Sequence, residues 1–156
     1  MPEETVRALD ATDTTQILVS LQTWINGLTD PTTHALIIPE RVYLEYQSGD
    51  LGYCIKSNGG AILDEDIVGN FSAEVPFMVY FTTAAVPDSA GELFKSLNDL
   101  AAWFKANGTQ GLSIGTRRTP DVIRTLKGPT DLNGKDEDGN TTFFSVYSLT
   151  YDEEAV

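Results

Sequence analysis

Apolar side chains recur at helical spacing near the start of the chain. In the segment DTTQILVSLQTWINGL, residues 13–28, they fall on one side of a helix: Ile17, Leu18, Leu21, Trp24, Ile25 and Leu28. Thr12 or Asp13 is expected to cap the free amide groups of the first turn. The pattern predicts an amphipathic helix that packs on a core.

A second helical pattern occupies residues 87–108, PDSAGELFKSLNDLAAWFKANG. Its apolar positions are spaced by four and three residues: Leu93, Leu97, Leu100 and Phe104. Ser89 and Glu92 have the spacing of a capping box at the start, and Asn107-Gly108 is typical of a helix end. The segment predicts the second main helix.

The remaining apolar patterns alternate as in β-strands. Residues 42–46 and 51–55 alternate on either side of the turn-like SGD, which predicts a hairpin. The segment EVPFMVYFTT, residues 74–83, is apolar on both sides, which predicts a central strand covered on both faces. DVIRTLK and TTFFSVYSLTY supply two last strands. Residues 57–73 show no sustained period and are expected to form a long loop, either functional or mobile.

This order of elements predicts one α+β domain over residues 1–156, an antiparallel or mixed β-sheet with two main helices packed on it. Residues 1–11 are polar and expected to be flexible. At this length, about 70% of the unfolded surface can be buried, which allows a single core of useful size.

The net charge of the chain narrows the classes of molecule that it is expected to bind. The 23 acidic and 10 basic residues give a formal net charge of −13, which disfavours wrapping nucleic acid or lying on an anionic membrane. Cys54 is the only cysteine, so no disulfide can form within the chain. No apolar run reaches the roughly 20 residues that span a bilayer, and the N-terminal segment lacks the order of a signal peptide, so folding in a cytoplasm is expected.

The segment DLNGKDEDGN superficially resembles a calcium-binding loop. With Gly139 at the sixth position, Gly134 falls at the first and Ser145 at the twelfth, so two anchoring oxygen ligands are missing. The preferred interpretation is a hairpin tip in which Asp138-Gly139 supplies the positive φ of the turn. No metal and no cofactor is predicted.

Three other groups of residues allow a functional or a structural interpretation. Arg117 and Arg118 could clamp a phosphate or carboxylate, but salt bridges within or between subunits are favoured in so acidic a chain. His34 and Cys54 could act together only if folding joined them, and a buried cysteine is the simpler interpretation. Both tryptophans are assigned to helix packing or an interface: Trp24 and Trp103. No catalytic residue is predicted.

Two stretches carry a resemblance to a known family. VPFMVYFTTAAVPDSAGELFKSLNDLAAWFKANG and GTRRTPDVIRTLKGPTDLNGKDEDGNTTFFSVYSLTY span most of residues 75–151, about half of the chain. Their strand ending in Thr, helix with a Leu and Trp-Phe stripe, acidic DEDG turn and last strand ending in Thr-Tyr are similar to the small minor capsid or tail-terminator proteins of long-tailed bacteriophages. The helix at 13–28 fits that family's opening helix.

The resemblance implies a non-enzymatic structural protein of the virion. It implies a homo-oligomeric ring, generally a hexamer, at the head-tail junction, which caps the tail tube and docks it to a head connector while DNA passes through without specific binding. Assembly in the host cytoplasm is implied as well. Two alternatives stay open: a tail-tube or head-completion protein of the neck, and a small ligand-binding or enzymatic α+β domain that uses the arginines and the acidic loop.

An acidic bore would suit such a ring, because carboxylates repel phosphates and leave DNA free to slide. Three acidic clusters are candidates for the bore or an interface, and solvated surface is an equal interpretation of any one of them. Their residues are Asp64, Glu65 and Asp66; Asp136, Glu137 and Asp138; and Asp152, Glu153 and Glu154.

Overall fold

The computed structural model describes residues 7–38, 40–44, 52–57, 59–83, 90–135 and 139–155, without the side chains of 90–94 and 131–135. Within these residues the chain forms two helices and seven strands. In order they are β1 (Arg7–Ala8), α1 (Ala11–Asn26), β2 (Val42–Leu44), β3 (Gly52–Lys56), β4 (Ala61–Glu65), β5 (Phe71–Thr83), α2 (Ala90–Asn107), β6 (Arg118–Lys135) and β7 (Thr141–Glu153).

β5 is the central strand of one mixed sheet. Its first half pairs with β4 and its second half with β3, while its whole length pairs with β7 on the other side. β6 lies outside β7, β1 outside β4 and β2 outside β3. All of these pairs are antiparallel except β2 with β3. The predicted α+β class and the central position of β5 are confirmed.

Both helices pack on the same face of the sheet. Side chains from α1, α2 and alternate positions of β5 and β7 form a single buried cluster. Phe104 lies at its centre, with ring centroids 5.1 Å from Tyr147, 5.6 Å from Trp24 and 6.4 Å from Phe77. The Tyr147 hydroxyl donates to the Leu97 carbonyl at 3.3 Å. Burial raises the pKa of Tyr147 to about 12, so this hydroxyl keeps its proton at neutral pH.

The start of α1 differs from the sequence prediction. Asp10 is the N-cap, and its side chain accepts a hydrogen bond from the Thr12 amide at 2.7 Å, so neither Thr12 nor Asp13 caps the helix. Asp13 lies in the first turn, where it forms a salt bridge with Arg118. At the end of α2 the predicted stop is confirmed, since Gly108 follows the helix with φ of 62°. Ser89 of the predicted capping box lies outside the described residues.

The predicted hairpin at 42–55 is wrong. β2 and β3 pair in parallel, with Val42 opposite Tyr53, and the residues between them, 45–51, lie outside the described part of the chain. Alternation sets which side chains face the core but not the direction in which a neighbouring strand runs. Two side chains of α1 hold the edge strand β2. The Asn26 side chain accepts a hydrogen bond from the Val42 amide, and the side chains of Asn26 and Gln22 both donate to the Val42 carbonyl.

Residues 57–73 do not form the predicted long loop. β4 and the start of β5 make a hairpin across them, with a turn at residues 66–70. The register shifts between Ile62 and Asp64, which breaks the alternation that would have revealed the strand. The short β4 therefore looks aperiodic in sequence, although it is paired with β1 on one side and β5 on the other.

β5 is not covered on both faces by the described elements. Ala73, Val75, Phe77, Val79 and Phe81 are buried under the helices. The alternate side chains are only half-buried, although Met78 and Tyr80 among them are apolar or aromatic. Both sides of β5 carry apolar side chains, as predicted, but within the described residues a helix layer covers just one side.

We expect Phe104→Ala to lower the free energy of unfolding by about 3–5 kcal/mol, because it removes the ring that joins α2 to α1 and to the sheet. Urea denaturation followed by tryptophan fluorescence and circular dichroism measures the change. Lys105→Ala is the matched control at the next, exposed position and should change the free energy by less than about 0.5 kcal/mol. Equal effects of the two substitutions would contradict this packing.

Candidate functional site

The side of the sheet away from the helices is the first candidate surface. We call it the open face and define it by its register positions on β2, β3, β5, β6 and β7. Its principal members are Tyr43, Cys54, Lys56, Met78, Tyr80, Val122, Arg124, Lys127, Phe144 and Val146. No helix in the described part of the chain lies on this face.

The middle of the open face combines aromatic rings with cations. The Lys127 ammonium lies 5.4 Å from the centroid of Phe144, and the Lys56 ammonium lies 5.9 Å from that of Tyr80. Arg124 is exposed and opposite Ser148 in the β6–β7 register. Long cationic side chains that lie along aromatic rings shield them while keeping their charge in water. Glu74 of β5 also lies on this face, where its carboxylate accepts from the Ser148 hydroxyl at 2.6 Å. With Lys56, Arg124 and Lys127 against Glu74, this part of the face has a net positive charge in a strongly negative chain.

One end of the open face, at the start of β5 and the end of β7, is acidic. An open depression of about 420 Å³ brings the first and the third acidic clusters together, although they are far apart in sequence. The pairing of Ser72 with Asp64 on one side and with Asp152 on the other explains the contact. The acids that line the depression are Asp64, Asp66, Asp152, Glu153 and Glu154. Among the described residues, no group of His, Cys, Asp and Glu has an arrangement that could hold a metal ion.

Two acids of the first cluster already have partners within the chain. The Asp66 carboxylate accepts hydrogen bonds from the Val68 and Asn70 amides and from the Asn70 side chain, and so closes the β4–β5 turn. These bonds, the Asn70 side-chain bond first, lower the pKa of Asp66. Glu65 forms an ion pair with Arg7 of β1. Asp64 is exposed and lines the depression.

Within the third cluster, Glu153 faces the helices rather than the open face. Its carboxylate accepts from Arg118 Nε at 2.6 Å, and the same guanidinium reaches Asp13 of α1 at 2.8 Å. Asp152 accepts from the Ser72 hydroxyl, and Glu154 is exposed. Asp64, Asp66, Asp152 and Glu154 are therefore the exposed carboxylates that line the depression. The second cluster, residues 136–138, lies outside the described residues.

Arg118 is a structural residue. Its side chain is only 12% exposed and joins α1 to the end of β7, as the salt-bridge interpretation predicted. Burial alone would lower the pKa of Arg118. The hydrogen bond to Glu153 and the negative charges of Glu153 and Asp13 outweigh burial, so the pKa of Arg118 is raised. Arg117 is exposed: its carbonyl accepts from the Glu154 amide at 2.9 Å, and its guanidinium donates to the Glu154 carbonyl at 3.5 Å, so the two arginines do not form a clamp.

The remaining sequence candidates are the two tryptophans, Cys54 and His34. The Trp24 and Trp103 rings meet edge to face at 5.4 Å, and their indole nitrogens donate to the carbonyls of Gln110 and Thr29. This confirms the assignment to helix packing. Cys54 is buried on β3, while His34 is exposed in a turn.

Two described residues bear on the interpretation of the last loop. Gly139 has φ of 79°, as the hairpin-tip interpretation predicted, and precedes β7. Ser145, which would occupy the twelfth position of a calcium loop, is buried within β7.

Sequence reasoning missed the cations of the open face. Lys56 lies on β3, far in sequence from Arg124 and Lys127 on β6, and the β6–β7 register shifts between Arg124 and Lys127. The sequence carried one signal of this face: β5 is apolar on both sides, and apolar side chains on the side away from the helices are poorly solvated by water.

Comparison of the chain with protein-family models and with curated protein sequences finds no match. Among the described residues, no helix combines the length and apolar composition needed to cross a membrane.

We expect Arg118→Met to lower the free energy of unfolding by about 2 kcal/mol, because it leaves Glu153 and Asp13 without their shared cation in a partly solvated site. Arg117→Met is the matched control and should change it by less than about 0.5 kcal/mol. Chemical denaturation at neutral pH measures both. A larger loss in the Arg117 variant would rule out this assignment.

Proposed function

We propose that this chain is a structural protein of a tailed-bacteriophage virion, a ring-forming tail terminator. In this role it binds the tail-tube protein on one side of the ring and a head connector on the other, and it performs no catalysis. It assembles in the host cytoplasm and resides in the neck of the virion. The proposal rests on the resemblance over residues 75–151 together with one observation, the open face.

The open face supports self-association because some of its apolar side chains remain in contact with water. Tyr43 and Val122 are exposed on it, and Met78 and Val146 are half-buried. Interfaces combine aromatic residues, Met and Arg in their centres, and this face carries Tyr43, Met78 and Arg124. A second protein surface that covers this face would remove the apolar side chains from water.

The acidic end suits the passage of DNA. Asp64, Asp152 and Glu154 are exposed there, and each repels phosphate when it faces a bore. Arg118 is held by two carboxylates and offers DNA no free cation. This arrangement favours a bore that DNA crosses without being retained.

Two measurements test the proposal together. Native mass spectrometry of the purified 17.0-kDa chain should give a closed oligomer, with six copies the expected number. Cryo-electron microscopy of particles of the phage that encodes it should then show this ring between the tail tube and the head connector. A ring stacked along the whole tube would favour a tube protein, and a ring next to the portal a head-completion protein. A chain that is monomeric at all concentrations and absent from particles would overturn the proposal.

A further inference from the structure

We propose that the tip of the β4–β5 hairpin of one copy docks on the open face of the next copy. We call the tip residues 66–70, with Leu63 at its base. The inference rests on the proposed ring and identifies the contact that joins neighbouring subunits.

The tip is an exposed apolar group in a fixed position. Ile67 is 103% exposed and Val68 68%, and with Leu63 they make up three of the eight exposed large hydrophobic residues in the described part of the chain. The Asp66 carboxylate and the Asn70 side chain hold the turn, and Asn70 also accepts from the Ala155 amide. A turn ordered before binding loses less conformational entropy when it docks.

The charges of the two surfaces are complementary. The hairpin carries Asp64, Glu65 and Asp66 against one cation, Arg7, so its net charge is negative. The middle of the open face carries the cations Arg124 and Lys127 beside Phe144 and Val146, and toward the acidic end it carries the Glu74 carboxylate, which accepts from the Ser148 hydroxyl. An acidic, apolar tip therefore fits a basic, apolar face, which favours the correct orientation and disfavours contact between two tips.

The edges of the sheet are poor alternatives for self-association. Within the part of the chain that the structure describes, β1 comprises two residues and β2 three, a short length for extension of the sheet. β6 is long, but its pairing with β7 shifts register four times and it contains Pro120 and Pro129. Short, bulged and proline-containing edges prevent strand addition. Association through a face is consequently favoured over association through an edge.

Docking of the tip on the face has a consequence for symmetry. The tip and the face are different surfaces of the same chain, so each subunit uses one surface toward each neighbour. Such head-to-tail contacts close into a ring when the rotation between subunits permits it. Asp64 then lies in the interface, which leaves Asp152 and Glu154 as the described acids of the bore.

Cysteine cross-linking tests the contact directly. In a Cys54→Ala background, Ile67→Cys and Val122→Cys are prepared as separate proteins, mixed as unfolded chains, refolded together and oxidised. We expect a disulfide-linked dimer from the mixture and little from either protein alone. Strong cross-linking of Ile67→Cys alone would instead indicate contact between tips, and no cross-link in an assembled ring would place the tip elsewhere.

Two pairs of substitutions measure the contribution of the contact. Ile67→Asp and Arg124→Glu should each raise the concentration at which the oligomer dissociates by at least about tenfold, while Val19→Asp and Lys105→Glu, exposed positions on the helices, should change it less than about twofold. Circular dichroism checks that each variant folds. A ring that forms normally in the Ile67 and Arg124 variants overturns this inference and leaves the proposed function standing, whereas a wild-type chain that never assembles overturns both.

Discussion

The pairing of β5 with β7 is the contact on which the rest of the structure depends. Thirteen consecutive residue pairs, from Phe71 with Glu153 to Thr83 with Thr141, join the two strands without a register shift. Because side chains alternate along a strand, this register decides which residues face the helices and which face outward. A slip by one residue would exchange the buried face of β7 with its outward face and leave Phe104 without the Tyr147 ring.

The strong periodic elements were predictable from sequence. Both helices, the central strand and the two last strands have enough regular positions for their period to be recognised. The turn at Gly139 was predictable too, since Asp-Gly has a specific conformational preference. The short elements were not: β4 contains a register shift, and β2 is held by hydrogen bonds from Asn26, which lies sixteen residues away in sequence.

The candidate site was only partly predictable for a related reason. The acids of the first and third clusters were recognisable as charged groups, but their meeting in one depression depends on strand pairing with Ser72. The partners that hold Asp66 and Glu153 also come from tertiary or turn geometry. The polarity of the open face, with cations in the middle and carboxylates at one end, results from the order of strands in the sheet and has no local sequence signal.

The proposed ring depends on coverage of the open face in the assembled protein. Hydroxyl-radical footprinting at increasing protein concentration tests it most directly, with modification read residue by residue by mass spectrometry. We expect Met78 and Tyr43 to become less reactive as the oligomer forms, while Val19 on the outer side of α1 keeps its reactivity. Assembled protein in which Met78 and Tyr43 react as readily as in the dilute chain would contradict the account.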